Sequence, residues 1–281
     1  MTGTTRSSER AGRIVAAGGT PVLVDVFEAP ALARAVAAAR PDAVINQLTD
    51  LPQAPSPRGM KDSYAANNRA RGEGGHNLLA AVQAAGVTRY VTQSVAFFCR
   101  PTGQPGLRDE ATPLWTAAPG LIGEAATVAE QAEREALDAG GVVLRYGFFG
   151  GPGTWYDPEG SIGTLVRKRR YPLLGAGAGV YSFIHVDDAA AATVAALDAP
   201  SGIYNVVDDD PAPTSTWLPA FAAALGAPPP RKLPALPVQA LGGGALVAWQ
   251  ESLEDADNTR AKATLDWTPV HSTWRTGFRD P

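Results

Sequence analysis

Four short apolar segments of this chain each end in side chains that could move a proton or hold a nucleotide. These side chains are Asp25, Gln47, Gln93-Ser94 and Tyr146. A hydroxyl or a phenol can pass a proton to a reacting group, so Ser94 and Tyr146 are the candidate catalytic residues. The carboxylate and the two amides can hydrogen-bond a bound cofactor. We therefore expect the chemistry where these four segments end.

The elements that must position these residues follow from the apolar pattern. Strands are predicted over 22–26, 44–47, 90–92 and 142–146, and helices over 7–17, 30–40, 61–85 and 121–139. The helical region over 61–85 is expected to be interrupted at the glycine-rich residues 72–75. Such alternation predicts an α/β fold, a Rossmann-like doubly wound parallel sheet. Ligands of these sheets bind at the carboxyl ends of the strands, where the four polar positions lie.

The pattern changes after residue 150, where glycine and proline become frequent and the predicted elements become shorter. Small helices are predicted over 211–225, 236–252 and 258–265. We therefore expect a Rossmann-like domain over 1–150, to which 180–207 return. Residues 151–281 are expected to form a smaller C-terminal cap lobe that binds substrate.

Composition excludes several classes of protein. The chain has 281 residues and a net charge of −4, without the basic face of a nucleic-acid-binding protein. Its single cysteine excludes an intrachain disulfide, and no metal site is predicted. No apolar run reaches the length of a membrane span, and no secretion signal is found. We expect a cytoplasmic protein with a small-molecule substrate and neither a nucleic-acid nor a membrane partner.

Four motifs together carry a resemblance to one enzyme family. They are LRYGFFGGPG at 144–153, YSFIHVDDAA at 181–190, GIYNVV at 202–207 and NTRAKATLDWTP at 258–269. In this order they resemble the extended short-chain dehydrogenase/reductases, the NAD(P)-dependent epimerase/dehydratases. The resemblance implies a dinucleotide cofactor and a sugar-like or small carbonyl substrate.

The glycine-rich turn that binds the cofactor pyrophosphate in this family is not found in a strand–turn–helix context. One interpretation places residues 3–7 at the end of the family's second strand, and the sheet is then N-terminally incomplete. Arg6 would then pair with the 2′-phosphate of NADP. The alternative makes residues 2–5 a remnant of the turn, and Asp25 would hold an NAD ribose. The spacing of the following elements favours the first interpretation.

The resemblance also assigns cofactor and substrate positions. It implies an adenine contact by Asp25 and Val26, and a further cofactor contact by Asn67. Gln47 and Gln93 are cofactor candidates at strand ends, and Phe148 is expected to pack on the nicotinamide. The candidate substrate residues are Phe149, Trp155, Tyr181 and His185. We predict NADP as the cofactor, with NAD as the second choice.

The family's Tyr-x-x-x-Lys pair is absent from the helix predicted over 121–139. A proton would then come from Ser94, from Tyr146 or from water. Two classes of function remain open: an NADP-dependent oxidoreductase or epimerase/dehydratase, and a non-catalytic member with a binding or regulatory role. An incomplete sheet would expose strand edges, so a homodimer is also expected.

Overall fold

Parallel strands and the helices between them make up most of the molecule. The structure is a computed structural model that describes residues 1–54, 59–104, 106–235 and 244–278. Its strands are β1 Thr2–Thr5, β2 Thr20–Leu23, β3 Ala43–Asn46, β4 Arg89–Val95, β5 Val142–Tyr146, β6 Phe148–Gly150, β7 Leu173–Leu174, β8 Val180–Tyr181, β9 Phe183–His185, β10 Gly202–Val206, β11 Ala212–Pro213 and β12 Lys232–Leu233. Its α-helices are α1 Ser8–Ala16, α2 Ala29–Ala39, α3 Met60–Arg69, α4 Gly75–Ala84, α5 Leu121–Asp138, α6 Ser161–Arg167, α7 Val186–Ala195, α8 Thr214–Ala224, α9 Gly244–Ser252, α10 Thr259–Leu265 and α11 Trp274–Gly277.

The central sheet has four parallel strands in the order β10-β5-β4-β3, and β1 and β2 form a separate parallel pair. Every residue of β5 is buried, which fits the apolar run Val142–Leu144 and leaves the charge of Arg145 inside the protein. The predicted fold class is confirmed: the protein is α/β and Rossmann-like, with parallel sheets.

Residues 2–5 form a strand, so the interpretation of this segment as a remnant of a glycine-rich turn is wrong. Among the described residues, β1 and β3 each lack a paired strand on one edge, as expected for an incomplete sheet. Helix α1 buries none of its residues, and apolar side chains of this region are exposed, among them Val15, Leu23 and Ile45. The expected homodimer stays a prediction.

The helix predicted over 61–85 is continuous, because a π-helical segment over Ala70–Gly74 joins α3 to α4. The glycines at 72–75 therefore do not interrupt it. A side chain at Gly74 would place its Cβ 2.9 Å from Val26 Cγ2, so glycine allows α4 to approach the end of β2. Single π-turns within α-helices are frequent at functional sites.

A second core cluster lies in the C-terminal half. It joins Phe183 of β9 and Tyr181 of β8 to Trp217 and Phe221 of α8. The helices predicted over 211–225 and 258–265 match α8 and α10, whereas 236–243 lie outside the described residues. The predicted division into domains at residue 150 stays a prediction. No helix in the described part of the chain is long and apolar enough to span a membrane.

Candidate functional site

The carboxyl ends of β2, β3 and β4 converge, as the fold requires. The Gln93 amide donates to the Leu48 carbonyl oxygen over 2.6 Å. Asn67 Oδ1 accepts from the Thr49 hydroxyl at 2.9 Å and from the Asp50 N–H at 3.1 Å. Asn67 and Gln93 therefore hold the loop after β3 in place, and through that loop they shape the candidate site. Their predicted contacts with a cofactor stay predictions.

Two guanidinium groups surround the Phe27 ring beyond β2. Arg69 lies 3.8 Å and Arg6 lies 5.7 Å from the ring centroid, and Arg6 also pairs with Asp50 at 3.3 Å. Asp25 Oδ1 accepts from the Phe27 N–H at 3.0 Å and fixes the turn after β2. An aromatic ring with two cations at strand ends fits a phosphorylated adenosine, the end of the cofactor that distinguishes NADP from NAD. The described residues show no glycine-rich turn that could hold the pyrophosphate.

Ser94 faces the interior of the protein and not the ligand end of the sheet. Its hydroxyl donates to Glu133 Oε1 over 2.6 Å, and Glu133 also accepts two hydrogen bonds from Arg145, at 2.8 and 2.7 Å. Ser94 is 2% exposed. A hydroxyl so buried and already bonded to a carboxylate cannot reach a substrate in this arrangement. The role of Ser94 as a proton donor stays a prediction, and in this arrangement its hydroxyl is already bonded within the protein.

Tyr146 is also enclosed. Its hydroxyl accepts from the Gln47 amide at 3.2 Å and lies 2.6 Å from Thr193 Oγ1. Burial raises the pKa of Tyr146, because the phenolate would lose its hydration. Tyr146 and Gln47 thus join β5 to the loop after β3 and to α7. The predicted roles, proton transfer by Tyr146 and cofactor binding by Gln47, stay predictions.

A stack of partly exposed aromatic side chains lies beside the ends of β4 and β6, and we call the surface that it presents the aromatic cleft. The Phe148 ring stacks between the rings of Phe97 and Tyr181, each with its centroid 4.3 Å away. Trp249 of α9 lies 6.3 Å from Phe97, and Tyr64 of α3 packs against the same apolar cluster. Phe97, Phe148 and Trp249 keep part of their surface exposed. Planar apolar groups fit such walls best.

The other predicted substrate residues are divided between the cleft and the interior. Tyr181 and the half-buried Trp155 belong to the C-terminal cluster, and the Trp155 indole donates to the Pro52 carbonyl over 3.1 Å. Phe149 instead packs on Tyr146 in the central core, with ring centroids 5.3 Å apart. Phe149 therefore supports the sheet, and its contact with substrate stays a prediction.

His185 has a structural position at the start of α7. Its Nδ1 accepts from the Asp187 N–H, so His185 caps α7. Its ring stacks on His271 at 3.7 Å, and His271 Nδ1 lies 3.0 Å from Asp188. These three side chains could hold a metal ion. Asp188 already accepts backbone N–H groups of the C-terminal segment, at residues 270 and 271, which accounts for the cluster structurally.

The face of α5 that packs on Val95 is formed by alanines, and the Glu133 carboxylate, which reaches Ser94 one turn further on, is also bonded to Arg145. Ala125, Ala126 and Ala129 share an apolar cluster with Val95, the last residue of β4. This is the helix on which the resemblance implied a tyrosine and a lysine. The described site therefore offers no proton-relay pair on this helix.

Sequence reasoning missed three residues of this region. Glu133, the partner of Arg145, carries no distinguishing pattern within a charged helix. Tyr64 and Arg71 lie in a polar stretch that is typical of a solvated helix. The only signal for Arg71 is its place in the glycine-rich segment between α3 and α4.

Comparisons with known proteins agree with this architecture. Residues 1–207 match the model of the NAD dependent epimerase/dehydratase family. A 3-diazoavenalumate denitrifying reductase from a Streptomyces species is 44% identical over 266 residues, 92% of this chain and 85% of that protein.

Two solved structures share the fold. A dTDP-glucose 4,6-dehydratase from Streptomyces venezuelae with NAD has a TM-score of 0.76 at 19% identity, over 99% of this chain and 84% of that one. A human epimerase family protein with NADPH has a TM-score of 0.73 at 20% identity, over 99% of this chain and 98% of that one. The chain belongs to the NAD dependent epimerase/dehydratase family.

Proposed function

We propose that the protein is an NAD(P)H-dependent reductase that removes a diazo group from a planar aromatic acid and releases it as N₂. The similar Streptomyces protein is, by name, a denitrifying reductase of a diazo compound. The observation that carries the proposal is the chemistry of the site. Ala125 and Ala129 leave α5 without a proton donor, and Ser94 and Tyr146 are buried and already bonded.

Reduction of a diazonium group does not need the proton donor that α5 lacks. Reduced nicotinamide supplies a hydride, whose two electrons form a new bond between carbon and hydrogen. The electrons of the broken C–N bond leave with N₂, so an aryl diazonium ion and a hydride give an arene and N₂. A carbonyl substrate would instead develop an oxyanion that must be protonated or stabilised. A site without a Tyr-Lys pair fits the first reaction and not the second.

The chain's own residues then bind and shield the substrate. The partly exposed rings of Phe97, Phe148 and Trp249 offer apolar faces to a planar ring and limit access of water. The sugar-like substrate expected from the resemblance would need convergent polar groups, which these walls do not provide. Arg6 and Arg69 beside Phe27 support a preference for NADPH. The non-catalytic alternative is not favoured.

Isotope transfer tests the proposal. The protein is incubated with 4-carboxybenzenediazonium and NADPH deuterated in either the pro-R or the pro-S position at C4. We expect benzoate with deuterium at the former C–N carbon from one of the two labelled forms only. A reaction without protein controls for spontaneous reduction, which has no facial preference. NADH in place of NADPH measures the cofactor preference.

Two outcomes would contradict the proposal. One is release of N₂ without stereospecific deuterium transfer, which indicates solvent or radical chemistry. The other is turnover of UDP-glucose or dTDP-glucose with no reduction of the diazonium compound, which would return the protein to sugar chemistry.

A further inference from the structure

One partly buried arginine has no counter-charge among the described residues. Arg71 lies in the π-helical segment between α3 and α4, and its Nε is buried without a hydrogen-bond partner in the described part of the chain. No carboxylate of the described residues forms an ion pair with it. Buried charges are ordinarily paired, because desolvation is costly. An unpaired buried cation therefore indicates a ligand of opposite charge.

The surroundings of Arg71 place it at the aromatic cleft. Its electrostatic neighbour is the phenol of Tyr64, which in turn interacts with Tyr181. Tyr64 packs on the apolar cluster that includes Ala125 and Ala129 of α5, together with Phe97 and Trp249. The π-helical segment itself lies against α5, since a Cβ at Gly72 would be 3.3 Å from Val128 Cγ1. The π-helical segment that carries Arg71 thus packs on α5, the helix whose alanines share an apolar cluster with Tyr64, Phe97 and Trp249.

Arg71 is only half-buried as a whole residue, although its Nε is enclosed. Part of Arg71 is therefore accessible from outside the protein. Burial lowers the pKa of Arg71 to about 10, so the side chain remains a cation at neutral pH. Its planar fork of N–H groups matches a carboxylate bidentately.

We propose that Arg71 binds the carboxylate of the aromatic acid whose ring lies in the aromatic cleft. This inference rests on the proposed function, because it assigns a charge to the substrate class of that same site. The carboxylate would supply the counter-charge that the protein lacks, and it would fix the ring with its diazo end away from Arg71. A phosphate of the cofactor has similar chemistry, so the experiment must separate the two ligands.

Binding measurements without turnover distinguish a substrate carboxylate from a cofactor phosphate as the ligand of Arg71. Trans-cinnamate and its neutral methyl ester are titrated calorimetrically into the protein with NADP⁺ present. We expect the wild type to bind cinnamate more tightly than the ester by about tenfold to a hundredfold, the range of a charge-assisted contact. Arg71→Met should remove this difference and leave the affinity for the ester within about twofold. Arg71→Lys keeps the charge but loses the planar set of N–H donors, so it should retain part of the preference for cinnamate over the ester.

A matched control is Arg134→Met, because Arg134 is exposed on α5 and pairs with Glu130. It should leave both affinities unchanged, and circular dichroism of each variant reports its folding. Loss of NADPH affinity in Arg71→Met with cinnamate selectivity retained would assign Arg71 to a cofactor phosphate and overturn the proposal. Equal binding of acid and ester by the wild type would overturn it as well.

The two proposals can fail separately. Charge-selective binding that depends on Arg71, without stereospecific reduction of the diazonium probe, would support the anion site and remove the proposed reaction. Stereospecific reduction that does not depend on Arg71 would support the proposed reaction and remove the anion site.

Discussion

Two arginines in the interior have opposite surroundings. Arg145 on β5 is 3% exposed and forms two hydrogen bonds with Glu133, while its third nitrogen donates to the carbonyl oxygen of Thr112 over 3.0 Å. Burial acts against its charge, but the bonds and the charge of Glu133 prevail and raise the pKa of Arg145. Arg71 has no such partner among the described residues, and burial lowers its pKa.

The difference between the two arginines separates a charge that holds the fold together from a charge that is open to a ligand. A guanidinium that is fully bonded within the protein fixes strand, helix and loop against each other, and it leaves no capacity for a ligand. A guanidinium that is buried but unbonded lowers stability in the free protein, and it is ready to bind an anion without first breaking another bond. We therefore assign Arg145 to the scaffold and Arg71 to the ligand site.

The largest effect on stability is expected when Arg145 loses its ion-pair partner and, like Arg71, has no counter-charge. Glu133→Gln removes the counter-charge and keeps the shape, so a buried cation is left unpaired. We expect the free energy of unfolding to fall by about 3–5 kcal/mol, measured by urea denaturation. Glu130→Gln on the same helix, in an exposed pair with Arg134, should change it by less than about 0.5 kcal/mol. Equal losses of unfolding free energy in Glu133→Gln and Glu130→Gln would show that the buried ion pair stabilises the fold no more than the exposed pair.

The same comparison can be made for a buried negative charge, the carboxylate of Asp208. Asp208 is 3% exposed, and burial together with Asp209 and Asp210 raises its pKa to about 8. No described cation pairs with Asp208, whereas Asp209 pairs with Lys262 and Asp210 with Arg275. Between its ordinary pKa of 3.8 and about 8, only the unfolded chain ionises this group. The folded protein then binds one more proton, so stability falls as pH rises through this range.

For one group the slope approaches about 1.4 kcal/mol per pH unit. Denaturation of the wild type between pH 5 and pH 7 should therefore show a decline of about 2–3 kcal/mol from Asp208. Asp208→Asn keeps the oxygen that accepts from the Asp210 N–H and cannot ionise, so its decline should be smaller by that amount. Parallel pH profiles of the two proteins would mean that Asp208 is ionised throughout.

The sequence predicted the scaffold better than the chemistry, for physical reasons. Apolar runs and glycine stops depend on local spacing, and they predicted β5 over 142–146 as observed. The end of a strand indicates where ligands bind, but successive side chains point to opposite faces. The local pattern does not show that α5 covers the face of β4 that carries Ser94. Arg71 was missed because its burial depends on packing between helices, which no local pattern records.

Arg6 extends the comparison to the surface, where an arginine already has a partner that a ligand could replace. Its ion pair with Asp50 is about half exposed, so exchange for a phosphate costs little. Arg6→Ala should weaken NADPH binding by about 1.5–3 kcal/mol and leave NADH binding nearly unchanged, measured by fluorescence titration. The loss should shrink at high salt. An equal effect on the two cofactors would remove Arg6 from phosphate recognition.

The smallest effect should come from removing the unpaired charge itself. Arg71→Met replaces a buried, unbonded cation with an apolar side chain of similar length. We expect the free energy of unfolding to stay the same or to rise by about 1 kcal/mol, because a desolvation cost disappears and no bond is lost. Arg145→Met should instead lower it by about 3 kcal/mol, since Glu133 is then left buried without its partner. Urea denaturation of both variants without ligand makes the comparison direct. If Arg71→Met were as destabilising as Arg145→Met, Arg71 would belong to the scaffold, and its open bonding capacity would no longer indicate a ligand.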